Sequence, residues 1–160
     1  MQREQGLRRL TRRGDASLRR VLAYENPRIV HGFLRVYDLP DREAIRLFRE
    51  TRKFLWLMDR VPGLAVPSCL MALDEMWHAF ILHTAEYARF CSDHFGRFVH
   101  HDPATRRHPR HGRPRLHARE AEALVTAVYD HLGPSTARLW FDELSRRYSP
   151  AALELRRARD

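Results

Sequence analysis

Lysine, glycine and cysteine are all scarce in this chain: Lys53 is the single lysine among 29 basic residues, and there are seven glycines and two cysteines. Cys69 and Cys91 allow one disulfide at most, which excludes a disulfide framework and leaves two free thiols as the expectation in a reducing compartment. No run approaches the roughly 18 consecutive apolar residues that a membrane-spanning helix requires. The opening segment MQREQGLRRLTRRGD lacks the apolar stretch and small-residue cleavage site of a secretory signal, so the expected address is the cytoplasm. Glycine-rich phosphate loops, HExxH, paired CxxC and the nucleophile elbow are missing too, which removes the commonest phosphoryl-transfer, zinc-protease, redox and esterase signatures.

What remains is a chain of globular composition, 44% hydrophobic and 31% charged over 160 residues. A single domain of that length buries roughly 70% of the surface that its unfolded chain exposes. The net charge of +9 points to an anionic partner, either an acidic protein or nucleic acid, met through an arginine-rich surface, and no membrane partner is expected. Because arginine supplies almost all of the positive charge, nucleotide composition alone can account for part of the bias.

Hydrophobic spacing is helical throughout and no strand alternation is found, which predicts an all-α, compact bundle of about five to six helices. Residues 1–15 read as a flexible basic arm and 16–160 as one helical domain. Leu18, Val21 and Leu22 mark a first helix, and Pro27 opens a second through Ile29, Val30, Phe33, Leu34 and Tyr37. Asp38-Leu-Pro-Asp41 is a turn with an N-cap signal before a long helix that Pro62-Gly63 ends. Ser68 is the expected cap of a central buried helix over about 68–95, ended by Gly96. Its apolar residues fall on every side of the wheel, so other helices should surround it. Residues 100–117, rich in Arg, His and Pro, read as a long basic loop whose His108, His111 and His117 are solvated. Helical rhythm returns over 119–132 and 135–144, and Ser149-Pro150 caps a last short helix.

Chemistry is concentrated on the central helix. Asp74 and His78 stand one turn apart, the spacing that lets a carboxylate and an imidazole share a ligand or bond each other, with Glu75 adjacent. His83, Tyr87, Cys91 and His94 fall on roughly the opposite face of a regular helix, so one pocket cannot take both sets without a bend. Carboxylate and imidazole suit a divalent metal, zinc, iron or manganese, which needs a further ligand from outside the helix. His100 and His101 are the obvious donors if the chain doubles back after Gly96. Against this stand plainer readings: a structural Asp-to-His hydrogen bond, Cys91 as a small buried hydrophobe, and Trp77 and Tyr87 as core aromatics, with the tyrosine hydroxyl needing a partner.

Asp74-Glu-Met-Trp77-His78, followed by His83, Tyr87, Phe90-Cys91, Phe95-Gly96 and His100-His101-Asp102-Pro103, resembles the glycine-rich domain-containing protein-like family, a domain of unknown function. Phe48-Arg-Glu-Thr-Arg-Lys-Phe54-Leu55-Trp56-Leu57 looks like its bacterial branch. The likeness spans roughly residues 40–103, with a weaker trace near Trp140. It implies a helical domain whose signature maps to Asp74, Trp77, His78, Tyr87 and His101, and it supplies no activity. Many eukaryotic members carry a second histidine where this chain has Phe80, and the glycine-rich tail is absent. Plant members have been linked to RNA binding, a link that need not belong to this domain.

The leading expectation is a metal-binding helical domain with Asp74, His78 and His101 as ligands or as ligands and orienter. The alternative is an arginine-rich interaction module with no metal, binding an acidic protein or nucleic acid. A third reading uses the Asp74 and His78 pair as a metal-free general base and its orienter.

Overall fold

The computed structural model describes residues 14–64, 66–101 and 118–158. The expected arm therefore lies outside the described residues except for 14 and 15, which are helical, and so does nearly all of the basic loop with His108, His111 and His117. Among the described residues every regular element is helical, and the one β contact is an isolated bridge between Tyr37 and Arg157. The chain is all-α, as the spacing predicted.

Helix α1 covers residues 14–23 and is pinned by Ser17, whose hydroxyl receives the indole N–H of Trp56 at 2.9 Å. Helix α2, Pro27–Leu34, opens on Asn26, whose side chain accepts from the Arg28 amide, with proline at the first helical position, where its missing N–H costs nothing. It buries Ile29 and Phe33 one turn apart.

Helix α3, Asp41–Arg60, is the longest element. Asp41 is its first helical residue and not its cap: Pro40 holds the cap position without a side-chain bond, and Asp41 and Glu43 instead bring negative charge to the positive helix end. Ten positions are buried, from Ala44, Leu47 and Phe48 through Phe54, Leu55 and Leu57. Three of the ten are polar. Thr51 turns its hydroxyl back to the Leu47 carbonyl at 2.9 Å. Glu50 accepts from the Trp140 indole at 2.8 Å and pairs with Lys53 at 2.9 Å, which satisfies a carboxylate that is 3% exposed. The third is Arg52.

The segment expected as one helix over 68–95 is three pieces. Ser68–Leu70 is a 3-10 turn that Ser68 does not cap, α4 covers Met71–Leu82, and α5 covers Thr84–Phe95. The break is at His83, where ψ is 65° and the imidazole Nδ1 bonds the Ala79 carbonyl at 2.9 Å. A side chain that takes a last-turn carbonyl ends a helix without glycine or proline. Helix α4 still sits in the core, burying Met71, Leu73, Met76, Trp77 and Phe80, and it shares that core with α3.

Gly96 ends α5 at φ 68°, the left-handed conformation that favours glycine, and the chain turns back over the helix end. Helix α6, Ala118–Leu132, is followed by α7, Pro134–Arg138. That rod widens to π geometry over Leu139–Leu144, burying Trp140 and Leu144, and closes as α8, Ser145–Arg147. Ser149 caps α9, Pro150–Glu154, by accepting from the Ala152 amide. The tail then bonds the exit of α2 through Asp38 N to Arg156 O at 2.7 Å and Ala158 N to Val36 O at 2.9 Å. The helices outnumber the expected five or six because the central segment splits at His83 and the C-terminal rod is divided by its π stretch and the Tyr148 turn.

Candidate metal centre

Asp74 stands in the first turn of α4 and His78 one turn later, while His101 arrives from the returning chain. The carboxylate reaches both imidazoles unequally. Asp74 Oδ1 is 2.7 Å from His101 Nε2, a hydrogen bond, whereas Asp74 Oδ2 is 3.8 Å from His78 Nδ1. The direct partner of Asp74 is thus the histidine from the loop, not the one on its own helix, so a dyad of Asp74 with His78 has no hydrogen bond to rest on.

One ligand atom from each of Asp74, His78 and His101 lies within 4.8 Å of the others. Bonds of about 2.0–2.2 Å in a tetrahedral site hold ligand atoms roughly 3.3 Å apart. The separations of the carboxylate from the two imidazoles, 2.7 and 3.8 Å, bracket that spacing. Side-chain exposure grades across the cluster, 10% for His101, 20% for Asp74 and 45% for His78. The group is anchored on the inside and open on the His78 side.

The anchoring has a visible cause. Tyr87 is fully buried on α5 and donates its hydroxyl to the Val99 carbonyl at 2.6 Å, while accepting the Trp77 indole N–H at 2.9 Å. The bond to Val99 holds the returning chain two residues before His101. Trp77 meets the His101 ring edge-on at 4.3 Å, and the His78 and His101 rings are 4.4 Å apart. Trp77, Tyr87 and the Val99 backbone therefore set where His101 stands. Cys91 is buried against Tyr87 and Val99, and burial pushes its thiol pKa up, so it stays a neutral packing group.

The other candidates are elsewhere. Glu75 bonds the hydroxyl of Tyr37 at the exit of α2. His83 is the α4 terminator facing a different cleft. His94 packs on Phe90 at 4.7 Å, and burial lowers its pKa and favours the neutral ring. His100 is exposed against Phe98 at 4.9 Å. Val99, whose part is played by its backbone, carries no side-chain signal that sequence reasoning could use.

Three of the five tyrosines are held in the neutral form. Burial, then the Glu75 bond, raises Tyr37 to about 12, burial and Glu43 raise Tyr148 to about 12, and burial raises Tyr87 further. A folded-state phenol pKa above the unfolded value near 10 means the native state keeps protons that the unfolded chain has lost, so stability is complete below pH ~10 and falls above it. Phenolate absorbance followed with pH should show part of the tyrosine ionising late, together with a drop in the thermal midpoint between about pH 10 and 12. A single step for all tyrosines near pH ~10 would contradict this arrangement.

Comparison with known proteins returns one family match: a family model described as UCP032817-like covers residues 18–114, more than half of the chain and all of the cluster. No curated protein and no solved structure matches.

Proposed function

This chain belongs to the UCP032817-like family, an uncharacterised one whose description names no activity, and on that footing we propose that it is a divalent-metal-binding domain with Asp74, His78 and His101 as the ligands. The observation that supports the reading is the convergence of a carboxylate and an imidazole of α4 with a second imidazole from the returning chain, braced by Trp77 and Tyr87. A ligand histidine must be held in place, and here the Trp77 ring and the Tyr87 bond to Val99 hold His101. Two nitrogens and one oxygen suit zinc, iron or manganese, and three protein ligands leave coordination positions for water or substrate on the exposed His78 side. Such a metal would supply Lewis acidity or redox chemistry there. The likeness of the signature to the glycine-rich domain-containing protein-like family, bacterial branch, is part of this proposal, as is a cytoplasmic address.

The arginine-rich interaction reading has less behind it. Arg28, Arg46, Arg97, Arg146, Arg147 and Arg157 are each paired with a carboxylate of the chain itself, which offsets part of the described basic surface. Among the described residues no helix is long and apolar enough to cross a membrane.

Zinc or manganese added to the chelator-treated full chain is expected to bind at about one equivalent, to stay bound at high salt and to leave when chelator is restored. Binding that salt abolishes would indicate surface electrostatics instead and would remove the proposal.

A further inference from the structure

The most buried guanidinium among the described residues has no anionic partner. Arg52 is 5% exposed. Its Nε donates to Phe48 O at 3.3 Å, and its Nη1 to the carbonyls of Leu22 at 3.0 Å, Val21 at 3.4 Å and Tyr24. The group lies over the Phe48 ring at 4.6 Å. Glu50, two positions back on the same helix, is taken by Lys53 and Trp140. Buried charges are ordinarily paired with opposite charge, and Arg52 has no carboxylate in ion-pair contact among the described residues.

One arm of Arg52 is left. Its Nη2 makes no hydrogen bond with the described residues, and Arg52 lines a cleft. That cleft, about 750 Å³, lies between α2, the start of α3 and the joint of α4 with α5. The volume is in the range of small-molecule sites, roughly 300–1,000 Å³. Its walls are apolar where Val30, Leu34, Ile45 and Phe48 meet it. His83 closes one end under Gly32, where a Cβ would come within 2.8 Å of the imidazole, so the glycine is what lets α2 settle over the ring. Glu25, Asp41, Arg28 and Arg35 stand at the rim, Arg28 paired outward with Glu86, and Arg52 is the one cation of the cleft that is enclosed. Burial pushes the Arg52 pKa down to about 10, so the group is still a cation at neutral pH.

We propose that this cleft binds a small organic acid, a carboxylate with an apolar body, whose carboxylate takes Arg52 Nη2 and whose hydrocarbon lies against Ile45, Phe48, Val30 and Leu34. The apolar walls suit a hydrocarbon body better than a bare phosphate, whose oxygens would all need donors. The site is separate from the metal cluster: His83 follows His78 by five residues, about 140° around the helix.

Calorimetric titration of the full chain with octanoate, 1-octanol and inorganic phosphate tests this. Octanoate should bind saturably, octanol at least about tenfold more weakly, since a hydrogen bond to a charged group is lost, and phosphate not at all. Because Arg52 also holds the end of α1, the informative variant is Ile45→Glu, at a side chain that is 56% exposed. It should cut octanoate affinity about tenfold with an unchanged thermal midpoint, and Asp74→Ala should leave octanoate affinity as it was. No octanoate binding, equal binding of octanol, indifference to Ile45→Glu, or phosphate binding more tightly than octanoate would each overturn the proposal.

Discussion

Asp74→Ala is expected to abolish tight metal binding while leaving the helical fold in place. Asp74 is the only acidic group of the cluster and the one that touches both histidine positions, at 2.7 Å and 3.8 Å. Removing it takes away the negative charge that offsets a divalent cation and frees the His101 ring from its hydrogen bond. Loss of a group that merely orients a ligand already lowers metal affinity roughly 10- to 100-fold, so loss of a ligand should exceed the upper end of that range. The stability cost should be small, about 1 kcal/mol, because the side chain is partly exposed and its fold contribution is one hydrogen bond and a favourable place in the first turn of α4. Competition against a metal-sensitive dye, with circular dichroism on the same samples, separates the two effects. Unchanged affinity in a folded variant would take Asp74 out of the ligand set.

Tyr87→Phe should act in the opposite proportion, with a large loss of stability and a smaller, coupled loss of metal affinity. The hydroxyl is the only thing removed, but it leaves the Trp77 indole N–H and the Val99 carbonyl in a region where both residues are under 4% exposed. An unsatisfied buried polar group costs about 1–3 kcal/mol, so the pair should cost about 2–4 kcal/mol. For a domain near this size that lowers the thermal midpoint by roughly 6–12 °C. His101 follows Val99 by two residues and loses its anchor, so affinity measured on the folded protein at low temperature should fall about tenfold. A stable Tyr87→Phe with unaltered metal affinity would show that the brace does not position His101.

The helical class, the turns at Pro62-Gly63 and Gly96, the helix opened by Pro27 and the cap at Ser149 follow from local chemistry, and local chemistry is visible in a sequence. The break at His83 was not visible, because what ends α4 there is an imidazole reaching a carbonyl, and histidine carries no general signal for that. The glycine turn pointed to His100 and His101 alike and the family resemblance singled out His101, while Asp74 and His78 were legible from their spacing. Which imidazole the carboxylate actually bonds was not, since it depends on Tyr87 pulling on a backbone carbonyl twelve residues away. Arg52 is the clearest case of a residue hidden by its pattern: it sits in the apolar rhythm of α3 between Phe48 and Leu55, and only the packed structure reveals that its charge is enclosed without a carboxylate.

The central claim is that Asp74, His78 and His101 hold a metal, and metal content measured on tag-free protein purified without added metal tests it most directly. The wild type should carry close to one zinc, iron or manganese per chain, and Asp74→Ala and His78→Ala should carry almost none while remaining folded. Wild-type protein that arrives without metal and cannot be reloaded with any of the three would contradict it.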